Sequence, residues 1–145
     1  MAAQAWQLYH NAILRTLNGG YDFDTHVFKC ALLTAAHTPD LAVHDDLADV
    51  VAEEVAGGGD YARQAVGGIT LVLAAGVATF DCNDIDFGDP VTITAKYAVI
   101  YDDTHAADGL FAITDLNLGG GSVSSVAGPF LLTIHSSGVF RALQS

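Results

Sequence analysis

The chain of 145 residues has few cationic side chains. Five Lys and Arg stand against 17 Asp and Glu, so the net charge is −12 with His neutral. The cations are scattered singly along the chain: Arg15, Lys29, Arg63, Lys96 and Arg141. Because a protein that neutralises phosphates needs clustered Lys and Arg, nucleic acid is not an expected partner. The acidic surface favours either a basic partner surface or simple solubility, and the sequence leaves both open.

Long apolar runs are also absent. Hydrophobic residues make up 51% of the chain, yet no run reaches the ~18 uninterrupted apolar residues that a bilayer-spanning helix requires, so we expect no membrane partner. The first six residues lack a basic region followed by an apolar one, which predicts synthesis in a cytoplasm. Only two cysteines are present, too few for a disulfide framework, so Cys30 and Cys82 are predicted to be buried free thiols.

Sequence motifs for catalysis or metal binding are missing. The six histidines never form His-x-His or His-Glu-x-x-His, and there is no Cys-x-x-Cys pair or Gly-x-Ser-x-Gly elbow. The Gly57-Gly58-Gly59 loop lacks the Lys and helix that a phosphate-binding loop requires. Residues 81–86 depart from a calcium loop, and residues 102–108 are explained by Asx turns. We therefore expect no cofactor, no metal and no enzymatic activity.

The N-terminal segment has helical periodicity from Gln4 to Leu17, with an apolar side that Asn18-Gly19-Gly20 then ends. This side consists of Trp6, Tyr9, Ile13, Leu14 and Leu17. The sequence predicts residues 1–20 as a helix or arm and residues 21–145 as a β domain, together forming one globular unit. The helix either packs on its own core, which we favour, or reaches a neighbouring subunit.

The remaining segments have the length and composition of strands. A central strand is predicted within 25–34, a helical turn within 45–55, a hairpin from Ile69–Leu73 and Val77–Phe80, and the clearest strand over Val91–Tyr101. Further strands are predicted at 110–116, 130–134 and 139–143. Since the long helices of parallel crossovers are absent, the predicted fold is mainly β: an antiparallel β-sandwich or jelly roll with a short N-terminal helix.

The order of several segments resembles that of a known family. They are the helix that ends at Asn18-Gly19-Gly20, the strand at 27–34, and the segments 46–51, 54–63, 80–86 and 94–101. In these segments the chain resembles small virion proteins of tailed bacteriophages, several of which are capsid decoration (cement) proteins. The resemblance implies a dimer or trimer, made in the host cytoplasm, that binds the outer face of the major capsid protein lattice and stabilises the head.

The candidate contact residues are Trp6, Tyr9 and Ile13 on the N-terminal segment, and Tyr61 and Arg63 in the loop after the glycines. Two alternatives stay open. The first is a tail or head-fibre component with receptor- or sugar-binding loops. The second, which the sequence supports less, is a metal-dependent hydrolase built on a β-sandwich.

Overall fold

The computed structural model describes residues 5–57 and 59–143, and in them the chain is mainly β with one short helix. All strand pairs in these two ranges are antiparallel. The predicted fold class is therefore confirmed, and the arrangement is β-sandwich-like. The elements in chain order are β1 Gln7–Leu8, α1 His10–Leu17, β2 Phe28–Leu33, β3 Gln64–Ala65, β4 Thr70–Ala74, β5 Val77–Asp81, β6 Ile85–Asp86, β7 Val91–Ala95, β8 Tyr97–Asp102, β9 Gly109–Asp115, β10 Val123–Gly128, β11 Leu131–Leu132 and β12 Phe140–Leu143.

The largest sheet has the strand order β1-β9-β8-β2-β3. Its three inner strands are buried almost throughout, on both faces, which explains why β9 and, apart from Lys29, β2 are largely apolar in sequence. The predicted central strand at 25–34 is confirmed as β2. Smaller sheets pair β10 with β7 and β11 with β6, and a three-stranded sheet has the order β12-β5-β4.

An aromatic cluster joins the three-stranded sheet to the largest sheet. Phe80 on β5 lies 5.1 Å from Phe111 on β9 and 5.1 Å from Phe23, measured between ring centroids. Phe23 in turn stacks on Phe28 of β2 at 5.2 Å. Aromatic side chains bury large apolar areas and gain from edge contacts, so this cluster holds the two sheets against each other.

The helix is shorter than predicted. Its first predicted residue, Gln4, lies outside the described residues, and α1 begins only at His10, because Gln7 and Leu8 pair with β9 as a short edge strand. Tyr9 continues this pairing by donating its backbone N–H to the carbonyl of Phe111 at 3.1 Å. The predicted end is confirmed: Gly19 has a φ of +70°, and the Gly20 N–H donates to the Arg15 carbonyl at 2.8 Å.

The predicted strand Val91–Tyr101 is two strands in different sheets. The chain leaves the β7 pairing with β10 and enters the largest sheet, which we call the central sheet, as β8, with Lys96 at the break. Lys96 is buried; its Nζ forms an ion pair with Asp115 at 2.8 Å and donates to the carbonyls of Asn117 and Gly120 at 2.6 and 2.8 Å. Along one face of this segment the polar residues Thr92 and Thr94 are followed by the apolar residues Ala98 and Ile100. This change coincides with the change of sheet.

The hairpin and the helical turn are confirmed. β4 and β5 are joined by the two-residue turn Ala75-Gly76, both at positive φ, and the 45–55 region contains two short 3-10 helices at Leu47–Asp49 and Val51–Glu53. The strands that the sequence did not predict are β1, β3, β6 and β10. Three of these have only two residues, too few for any periodicity, and β10 is made mostly of small residues.

Candidate functional site

The structure places the five predicted contact residues in two separate regions. Trp6, Tyr9 and Ile13 belong to the N-terminal segment, which lies on its own domain's core as we favoured. Tyr61 and Arg63 follow the glycine loop, of which Gly58 lies outside the described residues. Trp6 of the first group borders one groove, and Tyr61 and Arg63 border another. The five residues therefore do not form one surface.

Tyr9 is not available as a contact residue, because it is fully buried in the core. Burial raises the pKa of its phenol, and its hydroxyl has no hydrogen-bond partner. Together with Ala12, which is also fully buried, Tyr9 seats α1 on the domain. Its role is to fix the helix in place, and the prediction of an exposed contact is wrong for this residue.

Ile13 is exposed, and it belongs to a larger apolar patch on the helix. Ile13, Leu14 and Leu17 are 48%, 55% and 80% exposed and lie on one side of α1; we call them the α1 apolar face. The helix is held with this face outward by Arg15, whose guanidinium reaches the Asp46 carboxylate at 2.7 Å and the Asp45 carbonyl at 2.7 Å. A helix normally turns such a face to its own core.

Tyr61 and Arg63 belong to an internal network centred on Glu54. Arg63 donates from Nε to Oε1 at 2.8 Å and from Nη2 to Oε2 at 2.7 Å, and its guanidinium carbon lies 5.7 Å from the ring centre of Tyr101. Tyr61 is buried; its hydroxyl donates to Glu54 at 2.7 Å and accepts the Leu32 N–H at 3.0 Å. The prediction of Tyr61 as a surface contact is therefore wrong. The Arg63 side chain is partly exposed, but its guanidinium already binds Glu54.

The protonation of Glu54 is set by this network. Burial alone would raise the pKa of the carboxyl group. The hydrogen bonds and charge of Arg63, together with the hydrogen bond from Tyr61, outweigh that effect and lower the pKa below its usual range. Glu54 is consequently a charged anchor for the segment that follows the glycine loop.

Trp6 borders a groove of about 380 Å³ next to β12. The groove is lined by Ala5, Trp6, His135, Ser137, Gly138, Val139, Phe140 and Arg141. The Trp6 ring packs partly on the core, and its buried indole N–H has no hydrogen-bond partner. An aromatic wall beside a histidine, a hydroxyl and an arginine is a common lining for a small polar ligand.

The polar side chains clustered elsewhere in the described residues accept hydrogen bonds from the protein's own backbone. Asp84 accepts the N–H of Ile134 and Asp86 that of Gly88, both at 2.8 Å. Buried Asp102 accepts the N–H groups of Thr104 and His105, which confirms the predicted Asx turn. In the ranges 5–57 and 59–143, no three His, Cys, Asp or Glu side chains are close enough together to hold a metal ion.

Both cysteines are buried and unpaired, as predicted. Burial raises the pKa of the Cys30 thiol, and it raises the pKa of the Cys82 thiol to about 12 with a smaller contribution from Asp81 and Asp84. Thiols in this state are poor nucleophiles.

No known protein family, curated protein or solved structure matches the chain. Within the described part of the chain, no helix has the length and hydrophobicity needed to span a bilayer.

The sequence prediction missed one large apolar surface, the outer edge of β4. Leu71, Val72 and Leu73 are 52%, 55% and 76% exposed, although the hairpin itself was predicted. A signal for it exists in the sequence, since no charged residue occurs between Gln64 and Phe80 in a chain of net charge −12.

Proposed function

We propose that this protein is a non-catalytic virion component, a capsid decoration (cement) protein that binds the outer face of the major capsid protein lattice and stabilises the head. The observation that carries the proposal is the α1 apolar face. Three large aliphatic side chains project from a helix that Tyr9, Ala12 and Arg15 fix to the domain. Exposed apolar groups that are held rigidly are typical of a surface that a partner protein covers.

The energetics suit such a role. Burial of apolar surface contributes about 25 cal/mol per Å² before the cost of association is deducted, so one patch of this size gives a weak contact. Many copies on one shell would act together, because each bound copy raises the effective concentration at its neighbours' sites. A strongly acidic exterior would also keep whole particles from associating. The resemblance to small phage virion proteins supports a capsid as the partner.

The test uses heads that lack this protein, to which purified protein is added back. We expect heads with the wild-type protein to survive heat better than bare heads, and Leu17→Glu to bind poorly and restore little resistance. Leu118→Glu is the matched control, since Leu118 is also exposed, at 74%, but lies in the loop after β9. Equal heat resistance of bare and decorated heads would contradict a cementing role. If the Leu17→Glu variant binds heads as well as the wild-type protein does, α1 is not part of the contact.

A second candidate function is a tail or head-fibre component that binds a sugar or receptor, and the Trp6 groove favours it. The half-buried Trp6 ring and the polar groups of Ser137 and Arg141 offer both an apolar surface and hydrogen-bonding groups to such a ligand. Antibody labelling of intact particles distinguishes the two functions. Uniform labelling of the shell supports decoration, whereas labelling confined to the tail or to sparse fibres supports the second candidate.

A further inference from the structure

β4 is an edge strand with both faces exposed. It lies at the end of the order β12-β5-β4, and each of its five residues, Thr70 to Ala74, is exposed. Leu71 and Leu73 lie on one face of the strand and Val72 on the other. An edge with this much apolar surface is a template for pairing with another strand.

The backbone groups that point outward from β4 can be identified from the hairpin. A two-residue turn closes on a hydrogen-bonded pair, here Ala74 with Val77, and pairs alternate along an antiparallel ladder. Thr70, Val72 and Ala74 therefore bond to β5, whereas the N–H and C=O of Leu71 and Leu73 point to the open edge. Nothing in the described ranges hydrogen-bonds to these outward groups.

The other strand edges have protection that β4 lacks. The edge strands of the central sheet, β1 and β3, have two residues each, as do β6 and β11. β12 carries Arg141, β10 has a register shift between Ser125 and Gly128, and the Thr92 N–H of β7 is covered by the Asp60 carboxylate. Short length, charge, irregularity and covering groups all discourage strand pairing. Among the described edge strands of more than two residues, β4 alone has no such protection.

The three central residues of β4, Leu71-Val72-Leu73, read the same in both directions. If two copies pair antiparallel about Val72, Leu71 faces Leu73 of the copy on one side, and Val72 faces Val72 on the other. The outward N–H and C=O groups of Leu71 and Leu73 then form the hydrogen-bonded pairs, and Val72 forms the close, non-hydrogen-bonded pair at the twofold axis.

We propose that two copies of this chain associate through β4, forming one continuous six-stranded sheet across a twofold axis. Charge favours a second copy over a basic partner, because β4 and its flanks from Gln64 to Phe80 offer no carboxylate for a cation to bind. This uncharged region is also where two chains of net charge −12 can approach with least repulsion. The inference does not depend on the proposed function.

The size of this contact predicts a reversible dimer. A stable interface buries about 800 Å² per partner, and a pair of five-residue strands provides less than that. The proportion of dimer should therefore rise with protein concentration in solution. Crowding of copies on a larger assembly would favour the paired state further.

The first test is disulfide trapping of the purified protein. In the proposed register the two Val72 Cα atoms lie about 4.5 Å apart, within the range that a disulfide can bridge. Val72→Cys should form a cross-linked dimer on mild oxidation. Thr79→Cys is the matched control: it lies beside Val72 on the same face of β5, but the two copies are about 14 Å apart across three strand spacings. Failure of Val72→Cys to cross-link, or equal cross-linking of Thr79→Cys, would overturn the proposal.

The second test measures mass against concentration by light scattering. Wild-type protein should pass from one to two chains per particle, and Val72→Lys should stay monomeric, because it places two like charges opposite each other at the axis. Val43→Lys, an equivalent change at another exposed valine, should dimerise like wild type. A wild-type monomer at all concentrations, a trimer, or a dimer that Val72→Lys leaves intact would each contradict pairing through β4. Circular dichroism confirms that each variant is folded.

Discussion

Glu54 binds Arg63 through two parallel hydrogen bonds of 2.8 and 2.7 Å, and the same carboxylate accepts the hydroxyl of Tyr61. Because Tyr61 also accepts the Leu32 N–H, these contacts connect the segment after the glycine loop to strand β2 of the central sheet. Bidentate pairs between arginine and a carboxylate are among the stronger polar contacts in proteins. The network therefore fixes this segment to the domain.

Glu54→Gln should lower the free energy of unfolding by about 1–3 kcal/mol at pH 7, because it removes the charged acceptor of this network. The pKa of Glu54 is lowered in the folded protein, so its contribution is full above the ordinary value of 4.5 and is lost as the pH falls through the folded value. Urea denaturation at pH 7 and pH 3 should show the wild-type advantage shrinking. A difference that stays constant between the two pH values would exclude the carboxylate charge as its source.

Lys96→Met should cost about 2–4 kcal/mol of stability. The substitution keeps the length of the side chain but leaves the Asp115 carboxylate and the carbonyls of Asn117 and Gly120 without their donor. The control is Lys29→Met, whose ion pair with Asp103 has the same 2.8 Å distance but is more exposed to solvent. We expect that control to lose much less stability in chemical denaturation, because solvent screens an exposed ion pair. Equal costs would mean that burial of the ammonium group does not matter.

Lys96 also shows what the sequence could not reveal. The alternation from Val91 to Tyr101 correctly predicted extended backbone, but alternation is the same whether a strand stays in one sheet or passes into another. The change depends on a loop more than twenty residues away in the sequence, whose carbonyls bind the Lys96 ammonium group. In contrast, β2 and the β4–β5 hairpin could be predicted, since their signals are local: a buried apolar run, and two strands flanking a glycine turn.

The candidate contact residues show the same limit. Helical periodicity placed Tyr9 and Ile13 on one side of the predicted helix, but it could not say which residues would face the core. In the structure, Tyr9 and Ala12 face inward and Ile13 is exposed, and Arg15 binds Asp46 and the Asp45 carbonyl on the domain. Tyr61 was equally ambiguous, since a tyrosine serves both as a surface contact and as a buried hydrogen-bonding group.

Gly138→Ala should destabilise the protein more than Gly19→Ala, although both glycines have similar positive φ values of +79° and +70°. A left-handed backbone costs about 1–2 kcal/mol for an L-residue, and both variants bear this cost. At Gly138 an added Cβ would also lie 2.5 Å from the Phe80 carbonyl oxygen, whereas at Gly19 it meets nothing within 4 Å. Thermal denaturation of the two variants measures the additional steric cost. Equal losses would show that the Phe80 backbone moves aside freely.

Cys30 and Cys82 should not react with a disulfide reagent such as DTNB at pH 8 while the protein is folded, and both should react in denaturant. The thiolate is the reactive form, and a pKa of about 12 leaves only about 10⁻⁴ of the Cys82 thiol ionised at that pH. Burial removes access as well, since the exposed fractions are 0% for Cys30 and 9% for Cys82. Cys82→Ser identifies which thiol is responsible for any slow reaction. Rapid labelling of Cys82 in the folded wild-type protein would show that the turn after β5 opens readily, because neither ionisation nor access permits that reaction in the closed structure.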